Sequence, residues 1–198
     1  MSLFTKNQAN AVQLSERVML ENKFKNSRHN ILLVVAFTLI NIILLVTQSN
    51  TYFLFSAFVP YMLADLGMYL CGKYPTEFYG EELSEITFLN DGFLAVMLVI
   101  AAVILVFYGL CWLLSKKMSK GWMIAALVFF VLDTVLLLVM QGIDMSMILD
   151  YVFHGWVIVS LCTGISAAKK LKNLPEEPEI PEAPEGLEES AEQPQEEE

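Results

Sequence analysis

Five runs of apolar residues organise the chain, at about 30–47, 52–71, 92–114, 122–140 and 145–168. Each is close to the roughly 20 residues that a helix, rising about 1.5 Å per residue, needs to cross a hydrocarbon core about 30 Å thick. Asn41 interrupts the first run, and the second contains Pro60 and Asp65. The third has no charge, the fourth surrounds Asp133, and the fifth carries Asp150 and His154. Backbone groups in lipid must satisfy one another, and none of the runs alternates polar and apolar residues as a barrel strand would, so the pattern predicts helices. The reading is an all-α, polytopic membrane helix bundle of about five hydrophobic helices. Five full crossings are expected, with the proline-containing 52–71 segment as the one that would be re-entrant or tilted instead.

Polar sequence flanks the bundle on both sides. Residues 6–28 are predicted to be helical, with Ala11, Leu14 and Val18 on one face and Glu16, Arg17, Glu21 and Lys23 elsewhere. That apolar face is narrow, which leaves an interfacial helix, a solvated helix and a partner-binding helix all open. The 72–91 connection, with Lys73 and four glutamates, is too charged to cross, and Gly80-Glu81-Glu82 could open a short surface helix there. Beyond the last run, Pro175, Pro178, Pro181 and Pro184 recur every third residue among glutamates, as in an open polyproline II segment rather than a folded one. The expected division is therefore a polar or interfacial helix at 1–29, a transmembrane bundle at 30–171 and a disordered acidic tail at 172–198. The polar, mixed-charge start reads as lacking a signal peptide.

Composition fits this picture. Hydrophobic residues make up 56% of the chain and charged residues 17%, unusual for a soluble domain of this length. The net charge of −10 is misleading, because the tail alone holds eleven glutamates and no Lys or Arg, leaving the rest at about +1. No basic stripe outweighs that tail, so nucleic acid is an unsuitable partner; the bilayer is the partner that the composition implies. Cys71, Cys111 and Cys162 have no metal or disulfide spacing and read as small apolar residues.

Positive residues beside spans favour the cytoplasm. Lys116, Lys117 and Lys120 follow the third run, and Lys169, Lys170 and Lys172 follow the fifth, which places both clusters and the tail on the cytoplasmic face of a cell membrane. Lys23, Lys25 and Arg28 ask for the same side, yet five crossings would separate the two termini. The two demands conflict.

Ionisable residues inside spans are costly and are functional candidates by default. Folding the chain about 142–144 puts Asp133 opposite His154, each about 12 Å below the turn, with Asp150 one helical turn away from His154. Asp65 lies about 9 Å below its end of the second run, in the same leaflet. Asp65, Asp133, Asp150 and His154 are the candidate substrate- or ion-binding residues. Three readings compete: an Asp133–His154 bond that only fixes helix register, a site for a cation, proton or small cationic solute, and a metal-dependent catalytic centre. Catalysis has little support. The chain lacks HExxH, GxSxG and P-loop motifs, no cofactor is implied, and two histidines, His29 and His154, exclude a multi-histidine metal site within one chain. A small module that binds or passes a cation or solute, as a homo-oligomer or a subunit of a larger membrane complex, stands beside the alternative of a non-catalytic scaffold docking through its terminal segments. Ser160, Gly164 and Ala168 form a small-residue ridge for close helix packing, while Tyr108, Trp112, Trp122 and Trp156 suit an interfacial aromatic belt.

Overall fold

A computed structural model describes residues 3–49, 51–80 and 86–175. Its helices are α1 (Leu3–Val46), α2 (Phe58–Leu70), α3 (Thr76–Tyr79), α4 (Asp91–Leu114), α5 (Lys120–Gln141) and α6 (Ile148–Asn173). Four are long and apolar enough to cross a membrane, and α2 is a shorter apolar helix. The protein is an all-α membrane helix bundle. The span within α4 shows why lipid must surround it: its mean hydropathy is 2.9, yet only 17% of it is buried by protein. A helix apolar on every side needs an apolar environment on every side. The expected tail from residue 176 on, and Glu81, Glu82 and Glu85 of the 72–91 connection, lie outside the described residues; at the tail's expected start α6 instead continues through Asn173, and the short helix that is described, α3, ends at Tyr79, before Gly80.

Two expectations are corrected. First, residues 6–28 are not a separate element, since α1 runs through them into the first span as one helix of 44 residues. Its inward stripe is Leu20, Phe24, Ser27, Ile31, Val34, Thr38 and Asn41, all buried. These positions alternate spacings of four and three, which keeps one seam of a helix against its neighbours across both the polar and the apolar halves. Leu14 and Val18, which share the expected apolar face, lie outside this stripe and are exposed at 38% and 50%. Second, the 52–71 run is not a full span. Residues 51–57 are non-helical, and the 13 residues of α2 reach only about 20 Å. Pro60 explains the late start: it sits in the first turn of α2, where a proline costs nothing, whereas deeper within a helix it would remove a hydrogen bond.

The core is assembled around α1 and α6. The small-residue ridge of α6 meets the serine of the α1 stripe: Ser27 Oγ donates to the Ser160 carbonyl at 2.6 Å, and Asn30 Nδ2 donates to Ser160 Oγ at 2.6 Å. A Cβ on Gly164 would lie 2.5 Å from Ser27 Cβ, so only glycine permits this approach. Farther along, Phe24, Ile31, Val34, Phe130, Phe153, Val157 and Leu161 fill the interior. Tyr108 belongs to that interior, 3% exposed, rather than to an interfacial belt. Trp112 is half-buried, with Arg28 and Lys116 each within 5.5 Å of its ring centre.

Candidate functional site

The site begins with the return of the chain after α1. Asn41, buried within α1, binds Phe53 twice: its Nδ2 donates to the Phe53 carbonyl at 2.6 Å and its Oδ1 accepts from the Phe53 amide at 2.8 Å. One carboxamide thus replaces a neighbouring strand for this extended segment. Non-helical backbone at membrane depth is tolerated only where protein satisfies it, and here α1 does so. Aromatic packing adds to the hold. Phe55, with a left-handed φ of 78° that a bulky residue rarely adopts, packs edge-on against Phe153 at 4.5 Å between ring centres.

The segment ends at the N-terminus of α2, deep in the bundle. A helix start leaves four backbone positions without intrahelical acceptors, and each is accounted for. The Ala57 amide donates to Thr38 Oγ1 at 2.7 Å, the Phe58 amide to Asp133 Oδ2 at 2.9 Å and the Val59 amide to Asp133 Oδ1 at 2.8 Å; the fourth position is Pro60, which has no N–H. Asp133 is 4% exposed. Its carboxylate therefore sits at the positive end of a half-helix dipole and accepts two backbone hydrogen bonds.

His154 completes the arrangement from α6. Its Nε2 lies 3.3 Å from Asp133 Oδ2, its Nδ1 lies 2.8 Å from the Asp150 carbonyl oxygen, and its ring stacks on Phe130 at 5.0 Å. The hydrogen bonds assign its protons. A carbonyl can only accept, so Nδ1 carries a hydrogen and donates it to Asp150. Nε2 then faces a carboxylate oxygen, and that contact is attractive only with one proton between the two atoms. The pair is an imidazolium beside a carboxylate, or a neutral imidazole beside a carboxylic acid. In either form, one proton is held at mid-bundle.

The structure brings Asp133, His154 and the backbone of Asp150 together. The Asp150 carboxylate, on a residue 7% exposed, lies within electrostatic reach of His154 and of Tyr52, whose hydroxyl is 2.9 Å from Ser56 Oγ. Tyr108, from α4, lies within the same reach of Asp133. Asp65 is placed differently. It accepts a hydrogen bond from the Tyr74 hydroxyl, and no hydrogen bond among the described residues joins it to the Asp133 cluster. Burial, and then Asp65 as acceptor, push the Tyr74 hydroxyl well above its ordinary range. Between Asp65 and the cluster stand two tyrosines: Tyr61, within electrostatic reach of Asp65, and Tyr52, whose ring meets that of Tyr61 at 5.3 Å.

Among the described residues, no group of three or more His, Cys, Asp or Glu side chains could hold a metal ion. Comparison with protein-family models, with curated proteins and with solved structures found no match. Sequence reasoning singled out Asp133 and His154 but missed Thr38, treated Asn41 as a mere interruption and did not foresee the half-helix that Asp133 holds. The available signals were Pro60, marking a helix start inside an apolar run, and the alternating four-three spacing that Thr38 and Asn41 share with Leu20 and Phe24.

Proposed function

We propose that this chain is a small multi-pass membrane protein that binds and hands on a proton at the Asp133–His154 pair. The observation that carries this reading is the Nδ1 hydrogen bond to Asp150, which leaves a single proton to be shared between Nε2 and the carboxylate. A larger cation fits less well. The Asp133 oxygens already accept from two amides and face an imidazole, which occupies three of about four lone-pair sites and leaves too few to replace a shell of hydration. Tyr52, Ser56, Asp150, Tyr61 and Asp65 supply polar groups toward the end of the bundle that carries 142–144. Toward the other end, Ile31, Val34, Ala126, Phe130, Val157 and Leu161, with Tyr108 as the one polar side chain, form a plug around a void of about 10 Å³, too small for a chain of waters. The proton therefore enters from the 142–144 side, and passage requires the plug to open.

Orientation follows from charge. With four crossings and one re-entrant segment both termini share a side, and the conflict over Lys23, Lys25 and Arg28 disappears. Of twelve Lys and Arg residues, only Lys73 lies at the 142–144 end. By the positive-inside preference, both termini are cytoplasmic and the polar path opens outward, in a cell membrane.

A second reading is favoured by the completeness of the bonding around Asp133: the pair is only a clamp for the re-entrant segment, and the protein is a scaffold that docks through its termini. Proteoliposomes carrying a pH gradient and an internal pH dye separate the two. Proton relay predicts that the wild type dissipates the gradient faster than empty vesicles, and that His154→Gln, which can still donate to Asp133 but carries no exchangeable charge, falls to the empty-vesicle rate. A wild type no faster than empty vesicles leaves the clamp alone.

A further inference from the structure

The cytoplasmic end of the bundle has a charge that the proton site does not explain. Lys73 apart, all the Lys and Arg residues lie there, and outside the tail the acids at that end are Glu16 and Glu21, giving +9 against the −11 of residues 176–198. A groove of about 440 Å³ opens at this end, where α1, the start of α5 and the end of α6 converge. Arg17, Lys120 and Lys172 line it, with Glu21 as its acid and Met118 and Leu171 as an apolar floor. The first turn of α5, at its edge, contains no acidic residue, and its N-cap Ser119 makes no side-chain capping bond. The positive end of that dipole therefore adds to the lysines.

The described chain ends beside this groove. Arg17 Nη2 donates to the Pro175 carbonyl at 2.8 Å, so the groove's own arginine holds the point from which the eleven glutamates start. We propose that residues 176–198 are the groove's occupant, their carboxylates pairing with Arg17, Lys120 and Lys172 of the same chain. Three features support an intramolecular ligand over an outside one. Opposite charges of nearly equal size lie at one end of one molecule. The tether from Pro175 gives the tail a local concentration in the millimolar range, as for short flexible linkers generally. In the sequence, glutamates recur at every third position from 176 to 188, the period of a polyproline II turn. The tail so placed shields the basic end from anionic lipid headgroups and acidic partners, and raising the salt concentration, which shortens the screening length from about 10 Å at 0.1 M to about 3 Å at 1 M, releases it.

The test uses the full chain in nanodiscs of phosphatidylcholine, treated with a zero-length carbodiimide that joins carboxylates to amines and read by peptide mass spectrometry. Links from Glu176–Glu189 to Lys120 and Lys172 within one chain, severalfold above links to Lys23 and Lys25 and severalfold weaker in 1 M salt, are expected. Equal links to all lysines, or links only between isotopically distinct copies, overturn the proposal. Nanodiscs containing phosphatidylglycerol test the lipid as occupant: persistence of the links supports the tail, and their loss assigns the groove to headgroups. A variant with all eleven tail glutamates changed to glutamine leaves the bundle untouched and provides a second measure. Acetylation of Lys120 and Lys172, relative to Lys25, should rise severalfold; an unchanged ratio overturns the proposal.

Discussion

Asp133 does three things with two oxygens: it accepts from Phe58, accepts from Val59 and faces His154. Replacing it with asparagine leaves one acceptor for two amides and turns an N–H donor toward one of them. Removing one partner of a buried pair costs about 3–5 kcal/mol, so Asp133→Asn should destabilise the bundle by an amount near the lower end of that range, measured by unfolding in mixed detergent micelles. Thr38→Val should cost less, about 1–3 kcal/mol, because a single buried amide, that of Ala57, loses its acceptor. The half-buried Lys73 reports on pH. Its hydrogen bond to Asp91 at 2.7 Å raises its proton affinity in the folded protein, so this contact is fully formed below the ordinary lysine range and is lost as pH rises through the elevated value. An amine-labelling titration should show Lys73 reacting at lower pH once Asp91→Asn weakens this contact. At this scale the sequence showed which residues are expensive to place in a membrane, and Asp133 and His154 were legible for that reason. It did not show that backbone amides would be the main partners of Asp133, because an amide has no letter of its own in the sequence.

Among the elements, α4, α5 and α6 follow from apolar length alone and match the expected runs within a few residues. The two departures, α1 and α2, have a common cause. Hydropathy reports what a segment prefers as its surroundings, whereas continuity and crossing depend on hydrogen bonds to other segments. The polar half of α1 stays helical because Leu20, Phe24 and Ser27 pack in the bundle; the apolar 51–57 segment is not helical because Asn41 and Thr38 bind it in an extended form. Gly164 sets the spacing of α1 against α6. A Cβ there meets Ser27 Cβ, an atom fixed to the backbone, rather than a flexible chain end. Gly164→Val should therefore separate the helices and destabilise by about 1–3 kcal/mol, the usual cost of overpacking. Gly155→Val, at a position with open space around it, should be near neutral in the same unfolding assay.

For the whole molecule, a shared side for the two termini is the reading most exposed to test. Cysteine labelling with a membrane-impermeant reagent in intact cells should leave sites introduced at Lys23 and Lys172 unmodified and should modify one at Ile143, which is 93% exposed in the turn between α5 and α6. Labelling of Lys23→Cys but not Lys172→Cys would restore five crossings. The bundle's charge asymmetry was legible in the sequence. Its meaning became consistent only when the second run proved too short to cross, since that one change brings every basic flank to the same face.

The bond between Phe58 and Asp133 spans 75 residues, which has a consequence for how the protein is made. Translation at about 5–20 residues per second leaves a delay of roughly 4–15 s between the two partners leaving the ribosome. Throughout that interval the start of α2 has exposed amides and no carboxylate to receive them, and lipid offers no substitute. The hairpin of 51–70 must wait at the aqueous face or within the insertion machinery until α5 arrives. Chains truncated before residue 133 should hold this segment where water-soluble reagents reach it, and chains extended past His154 should not.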